Sequence, residues 1–191
     1  MELSTIITLV IIGVALMYFI MIYNNLVSLK HAVSKAWSNI DVLLKQRHDE
    51  LPKLVEVCKQ YMEYEKDTLE KIVQARSAVM DARGKSDIGA LGQAETQLRM
   101  GLGNLFALAE NYPDLKANSS FQQLSSRISQ LENSIADRRE VYNESVNNNN
   151  VRIEQFPDVI VARMFNFKDF ELLEFSEEEK KDVNIGALFN S

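Results

Sequence analysis

Four charged side chains interrupt the apolar faces of the predicted helices, and no other residues are better placed to do chemistry. They are Glu65, Arg76, Glu95 and Arg138, each at helical spacing from leucine, isoleucine or valine. Carboxylates inside a helical bundle can bind metal ions, whereas a buried carboxylate can instead pair with a buried guanidinium. Catalysis and structural pairing are therefore the two interpretations to compare.

Metal catalysis lacks the ligands that it needs. The chain has two histidines, His31 and His48, and neither a Glu-x-x-His nor a His-Glu-x-x-His motif. A di-iron bundle uses such pairs. The single cysteine, Cys58, excludes a disulfide within the chain, and its apolar helix face is typical of an inert core thiol. We expect no catalytic residue, no metal site and no cofactor, and we interpret the protein as not an enzyme.

Structural pairing explains the same residues better. We predict that Glu65 or Glu95 pairs with Arg76 or Arg138 as a polar part of the core. Such pairs fix the register between helices but add little net stability, because desolvation offsets the attraction. The alternative is that all four lie at the edge of a helix face, since charged residues are mostly exposed to water.

The first element of the chain is apolar enough to lie in a membrane. Residues 3–22 read LSTIITLVIIGVALMYFIMI, in which sixteen of twenty residues are apolar and none is charged. Twenty helical residues extend roughly 30 Å, the thickness of the hydrocarbon core. A cleaved signal peptide would have a basic start and a small-residue cleavage site, whereas Glu2 is the only charged side chain before this run. Residues 1–22 are therefore predicted to be a retained transmembrane anchor.

Basic residues after the anchor predict its orientation. Lys30, Lys35, Lys45 and Arg47 follow it, with Asp41 as the only acidic residue up to position 48. Because cytoplasmic flanks carry excess lysine and arginine, the C-terminal side should be cytoplasmic and the N-terminus outside. The same cations can contact anionic lipid, which makes the bilayer a predicted partner.

Proline and glycine are too scarce for many short elements, with three and seven residues in the chain. Pro52, Pro113 and Pro157 fall between or after periodic segments, as a helical fold requires. Asp49, Asp87 and Asn118 or Ser119 are predicted N-caps. The apolar spacing predicts four helical segments and one loop: from the anchor to about 48, about 50–83, about 88–110, a loop over 110–120, and a last helix up to 156.

Helices with a single apolar face must pack against each other or against copies of the chain. Trp37, the only tryptophan, lies in the middle of one such face and is the predicted packing anchor. Glu132 and Arg139 flank the apolar face of the last helix. The predicted fold is all-α, with the transmembrane helix continuing into an antiparallel bundle of long helices over residues 23–156 and coiled-coil-like contacts that favour a homo-oligomer.

The tail over residues 157–191 differs in composition, because it is rich in both aromatic and acidic residues. Phe165, Phe167 and Phe170 are the candidate contacts to an oligomer or a partner. Disordered segments are normally poor in aromatics, so we predict that the tail docks on the bundle or on a neighbouring subunit. A solvated tail is the alternative.

Three stretches of the chain resemble the LemA family. They are AWSNIDVLLKQRHDELPKLVEVCKQYMEYEKDTLEKIVQAR, LAENYPDLKANSSFQQL and the region from ENSIADRREVYNESV to IEQFPDVIVARMFNF. The resemblance implies a bacterial inner-membrane protein with one N-terminal transmembrane helix and a cytoplasmic helical bundle, and it implies no reaction. Departures include Tyr64 where the family usually has histidine and Asn166 where it has glycine, and the missing histidine weakens the case for acid–base work at position 64.

Two functions remain in view after these exclusions. The net charge of −6 disfavours a nucleic-acid binder. We favour a non-enzymatic membrane-anchored scaffold that self-associates at the cytoplasmic face of the membrane. The alternative is an adaptor or sensor subunit that regulates another membrane protein, such as a protease or a transporter. Oligomer number, ligand and cellular process are not fixed by the sequence.

Overall fold

The protein is described by a computed structural model over residues 3–174. These residues are 85% helical, and they contain no strand. The six helices are α1 (Leu3–Lys59), α2 (Lys66–Lys85), α3 (Ile88–Ala109), α4 (Pro113–Ala117), α5 (Ser119–Glu154) and α6 (Asp158–Met164). The prediction of an all-α protein, with a long apolar N-terminal helix followed by a helical bundle, is confirmed.

The chain divides into two compact units. Among the described residues, unit 1 consists of residues 3–40 and 138–172, and unit 2 consists of residues 41–137 and 173–174. Helices α1 and α5 each contribute to both units. The division into an anchor, a bundle and a tail at residues 22 and 156 stays a prediction.

The start of α1 presents its apolar side chains to the outside. From Leu3 to Met21 every side chain is exposed except that of Phe19, which is half-buried. The polar side chains in this stretch bond to the helix itself, since the Thr8 hydroxyl donates to the Ser4 carbonyl at 2.9 Å. By length and composition, α1 is the one helix of the described chain that could cross a membrane.

Helix α1 continues past the predicted break near residue 48. It passes through Pro52 and ends at Lys59, so the segment predicted from about 50 to 83 is wrong in its start, and the predicted N-cap Asp49 lies inside α1. A proline inside a helix costs about 3 kcal/mol. Leu54 and Cys58, two and six residues after this proline, are fully buried, and their burial outweighs that cost.

The actual break between α1 and α2 lies at residues 60–65. Met62 is buried there, while Tyr64 is almost fully exposed. At its other end α2 extends past the predicted end near residue 83 to Lys85, and Ser86 takes the left-handed conformation with φ of 55°. The loop predicted over 110–120 contains the short helix α4, and the predicted last helix ends at Glu154 instead of 156.

Two predicted N-caps are confirmed. The Asp87 carboxylate accepts a hydrogen bond from the Ala90 amide at 2.8 Å at the start of α3. Asn118 caps α5, because its side-chain oxygen accepts from the amides of Ser120 and Phe121 at 2.9 and 3.1 Å. These bonds satisfy amides that have no partner inside the helix.

Two glycines of α3 differ in what surrounds them. A Cβ on Gly92 would lie 2.6 Å from the carbonyl oxygen of Glu174, so this glycine admits the chain segment at 173–174. A Cβ on Gly103 would meet no atom within 4 Å. Only the first glycine is therefore required by packing.

Candidate functional site

Three helices of unit 2 meet at a buried cluster of charged side chains. Arg47 of α1 is 1% exposed, Glu95 of α3 is 2% exposed and Glu132 of α5 is 14% exposed. One guanidinium nitrogen of Arg47 donates to Glu132 at 2.6 Å, and the other donates to Glu95. Arg47 therefore links two carboxylates that come from different helices.

The charge of this cluster is balanced. Arg99 lies one turn after Glu95 on α3, and its Nε is 3.6 Å from the second carboxylate oxygen of Glu132. Two arginines thus face two glutamates. Burial opposes the charge on Arg47, but Glu95 and Glu132 outweigh that effect and raise its pKa. Arg47 therefore keeps its positive charge at physiological pH.

The predicted partners of the polar core are corrected by this geometry. Glu95 is indeed buried and ion-paired, but its partner is Arg47 and neither Arg76 nor Arg138. Arg138 is exposed on α5, since the buried position is its neighbour Arg139. Glu65 lies just before α2 and accepts a hydrogen bond from the Tyr112 hydroxyl at 3.4 Å.

Arg76 supplies a hydrogen bond that α1 lacks at Pro52. Pro52 has no amide hydrogen, so the His48 carbonyl four residues earlier loses its helical donor. Arg76 Nε donates to that carbonyl at 3.0 Å. Its Nη2 lies 2.6 Å from His48 Nε2, which must accept because a guanidinium only donates.

Neighbouring arginines, Arg76 and Arg83, shift the pKa values of two titratable groups of unit 2. Burial and the positive charge of Arg76 lower the pKa of His48, so the neutral imidazole is favoured. A hydrogen bond from Arg83 lowers the pKa of Asp41; Arg83 Nη2 and Asp41 Oδ2 are 2.8 Å apart. Each side chain is thereby held in the protonation state that its arginine partner can bind.

Unit 1 is held by rings and amide side chains. Trp37, half-buried on α1, packs on Tyr142 of α5 with ring centroids 5.7 Å apart. The Tyr142 hydroxyl donates to the Glu171 carbonyl at 2.9 Å. Asn150 makes two bonds to the backbone of Phe170, at 2.8 Å to its carbonyl and 3.0 Å to its amide.

The predicted contact phenylalanines pack within their own chain. Phe165 lies against α1, with its centroid 4.7 Å from that of Tyr23 and 6.1 Å from that of Phe19. Phe167 packs on the apolar cluster around Ile22. Phe165 nevertheless keeps 48% of its surface exposed, so a contact to another molecule stays a prediction for this residue.

Comparison with known proteins decides the family. A sequence model of the LemA family matches residues 36–186, which is most of the chain. The chain belongs to the LemA family. The matched region contains the whole Arg47–Glu95–Glu132 cluster, so the cluster lies in the part of the chain that defines this membership.

The LemA assignment is supported by individual relatives. Protein LemA of Metamycoplasma hominis is 29% identical, over 94% of this chain and 82% of the relative. Magnetosome protein MamQ 2 of Paramagnetospirillum magneticum and magnetosome protein MamQ of Magnetospirillum gryphiswaldense are each 24% identical, over 87% of this chain and 69% of the relative. None of these names denotes an enzymatic reaction.

The chemistry available to this LemA-family chain is limited by its own pairing. Within residues 3–174, no three histidine, cysteine, aspartate or glutamate side chains are grouped so that they could hold a metal ion. Burial raises the pKa of the Cys58 thiol to about 11, so the reactive thiolate is scarce at neutral pH. The carboxylates of the buried cluster are already bound by arginines, which makes them structural groups.

Arg47 is the main residue that the sequence analysis missed, although a signal for it existed. Leu44, Arg47 and Leu51 follow one another at spacings of three and four residues, so Arg47 lies on the apolar face of α1. That face was interpreted as ending near residue 48 because of Pro52. Extending it through the proline would have placed Arg47 in the core.

Proposed function

We propose that this LemA-family chain is a non-enzymatic scaffold anchored in the bacterial inner membrane by a single span. Its C-terminal part lies in the cytoplasm and its N-terminus lies outside. The scaffold self-associates through its long helices. The observation that carries this proposal is the exposed apolar start of α1, which continues without interruption into a folded helical protein.

The exposed apolar surface at the start of α1 is suited to the hydrocarbon core of a membrane. Ile11 is 63% exposed, and the other large side chains between Leu3 and Met21, apart from Phe19, are also exposed to a comparable extent. In water such a surface would be costly, at roughly 25 cal/mol per Å² of apolar area. In hydrocarbon the same surface is favourable, and the helix satisfies its own backbone.

The buried cluster supports a structural role over a catalytic one. Both of its carboxylates are ion-paired, Glu95 with Arg47 and Glu132 with Arg47 and Arg99, which favours a structural role for them. A charge network that joins three helices fixes their register, which a scaffold requires of its subunits. We accordingly propose that the chain needs no cofactor.

One observation favours the adaptor or sensor alternative. Tyr64, in the break between α1 and α2, is 93% exposed beside a groove lined by Met62, Leu69 and Val73. An exposed tyrosine next to an apolar groove is typical of protein interfaces. A heterologous membrane protein would be the partner in that case.

The mass of the full-length chain in detergent separates the two functions. Light scattering coupled to gel filtration should find a defined homo-oligomer that survives tenfold dilution. A monomer would contradict self-association and favour the adaptor, and cross-linking in cells would then seek its membrane partner. Tyr64→Ala is the matched variant, because it should leave the mass of a scaffold unchanged and abolish cross-links of an adaptor.

The proposed orientation is tested separately. A C-terminal green fluorescent protein fusion should fluoresce in bacterial cells, and the equivalent alkaline phosphatase fusion should be inactive. The opposite pattern would reverse the orientation without affecting the anchor itself. Protein in the soluble fraction after lysis would contradict anchoring.

A further inference from the structure

Helix α6 and its flanks present an unusual concentration of exposed apolar side chains. Phe156 is 82% exposed, Ile160 53%, Met164 63% and Phe165 48%. These four residues lie within ten positions of one another. Single exposed apolar residues are normal in proteins, but a group of large ones marks an interaction surface.

The two sides of α6 are both apolar, and only one of them is covered. Val161 and Ala162 are buried against Ile22 and Leu26 of α1. Ile160 and Met164, four residues apart, share another face of the helix and remain exposed. Unit 1 therefore fixes the position of α6 while leaving one apolar face without a protein contact among the described residues.

The contact with α1 defines how deep α6 lies relative to the apolar run. Ile22 is the last residue of that run, and Leu26 is one turn beyond it. Phe165 reaches back to Phe19, a member of the run. When the run fills the hydrocarbon core, α6 lies beside the final turn of the span, where acyl chains give way to headgroups.

We propose that the exposed face of α6, formed by Ile160 and Met164, inserts into this boundary of the bilayer together with the flanking Phe156 and Phe165, as a second membrane-binding element. The inference rests on the proposed function in that it requires α1 to span the membrane. Interfacial elements typically bury their apolar face about 5–10 Å into the boundary. The exposed side chain of Arg163, next to Met164, can extend to lipid phosphates while its stem lies on the acyl chains.

A bilayer fits this face better than a second copy of the chain, because the face is continuous with the lipid-facing surface. Ile20 and Met21 are exposed at the end of the span, and Phe165, next to α6, contacts Phe19 in the same turn of the span. No charged residue occurs between Leu3 and Tyr23. Attachment should therefore depend on apolar area and hardly on the fraction of anionic lipid.

Tryptophan quenching by brominated lipids tests the proposal in the full-length protein. The background is Trp37→Phe, which removes the only native tryptophan. Phe156→Trp and Met164→Trp then report on α6 separately, at positions whose exposure tolerates a larger ring. Ile11→Trp reports on the middle of the span, and Val141→Trp is the control at an exposed position of α5 in the same unit. Vesicles contain phosphatidylcholine and phosphatidylglycerol brominated at shallow or deep acyl positions.

The expected result is that shallow bromines quench both α6 tryptophans more than deep bromines do. Deep bromines should quench Ile11→Trp most, and Val141→Trp should not be quenched. Quenching of Ile11→Trp without quenching at Phe156 and Met164 would overturn this inference and leave the anchor intact. Absence of quenching at Ile11→Trp would instead overturn the proposed function. A blue-shifted but unquenched emission at Met164→Trp that fades on dilution would assign the face to a second copy.

Discussion

Units 1 and 2 bury polar groups in opposite ways. In unit 2, Arg47 and Glu95 are both almost completely buried, and each is satisfied by the other's charge. In unit 1, the buried Asp158 pairs with Arg152, which stays 40% exposed. Unit 1 also buries Arg139, and several of its further polar links are neutral, such as those from Asn150 and Tyr142 to backbone groups. The comparison indicates that unit 2 depends on charge complementarity and unit 1 on packing.

Arg47→Met gives the largest expected effect, and it acts on unit 2. The substitution leaves two carboxylates without their shared partner, so unfolding should require about 3–5 kcal/mol less free energy. Circular dichroism during urea titration of the full chain in detergent measures this loss. Arg138→Met is the matched control, since Arg138 is exposed, and it should change stability by no more than about 0.5 kcal/mol.

The triple variant Arg47→Met, Glu95→Met, Glu132→Leu tests the same ion pairs by removing both partners together. Removing all three charges together should recover most of the lost stability, because the only charge of the cluster that then remains is on Arg99, whose side chain is 37% exposed to water. Equal stability of Arg47→Met and the unmodified chain would mean that unit 2 does not depend on this pairing.

Trp37→Ala is the corresponding test for unit 1. Loss of a half-buried indole packed on Tyr142 should cost about 2 kcal/mol, which is below the range for fully buried aromatics. Trp37→Phe should keep most of that stability. The cost should be the same at low and high salt, and a strong salt dependence would show that charge, not packing, dominates unit 1 as well.

Two glycines of α3 allow a comparison inside unit 2 in which the expected changes in stability are smaller and of opposite sign. Gly92→Ala should destabilise the protein by about 1 kcal/mol, because the clash with Glu174 exceeds the gain in helix propensity. Gly103→Ala should stabilise it by about 1 kcal/mol, because the space is open. Thermal unfolding of the two variants side by side gives both signs. A stabilising Gly92→Ala would refute the close approach of residues 173–174.

The smallest expected effect is a pH dependence that belongs to unit 2. The pKa of His48 is lowered below its ordinary value of 6.5, so the unfolded chain takes up a proton first. The contribution of His48 to stability is therefore complete above pH 6.5 and is lost as pH falls through the lowered pKa. His48→Gln should remove this slope in urea titrations between pH 7.5 and pH 5. His31→Gln, at an exposed position, should preserve the slope.

The helical class could be predicted from the sequence because apolar spacing acts locally. Long faces with few glycines and prolines leave no other regular structure, and Asp87 and Asn118 cap helices through bonds to their own neighbours. The position of the break between α1 and α2 could not be predicted in this way. Tertiary burial of Leu54 and Cys58 overrides the local preference of Pro52, and a local rule does not contain that energy.

The pairing partners within the polar core could not be predicted from the sequence either. Glu95 was identified because it stands alone on an apolar face, but a face does not specify what lies across from it. Arg138 and Arg139 are adjacent in sequence, and a rotation of 100° about the helix axis decides which one is buried. The observed arrangement buries Arg139. Partner choice in a bundle depends on helix rotation, which spacing alone leaves uncertain by about one residue.

The hydrogen bond from Arg76 to the His48 carbonyl makes two distant positions, 52 and 76, depend on each other in evolution. The guanidinium supplies the donor that the proline withholds from the His48 carbonyl. A sequence in which Pro52 is replaced regains the backbone amide at position 52 as donor, so Arg76 can then be substituted. Loss of Arg76 alone leaves the His48 carbonyl without a donor. Across LemA-family sequences, these two sites should consequently change together, with the proline lost first.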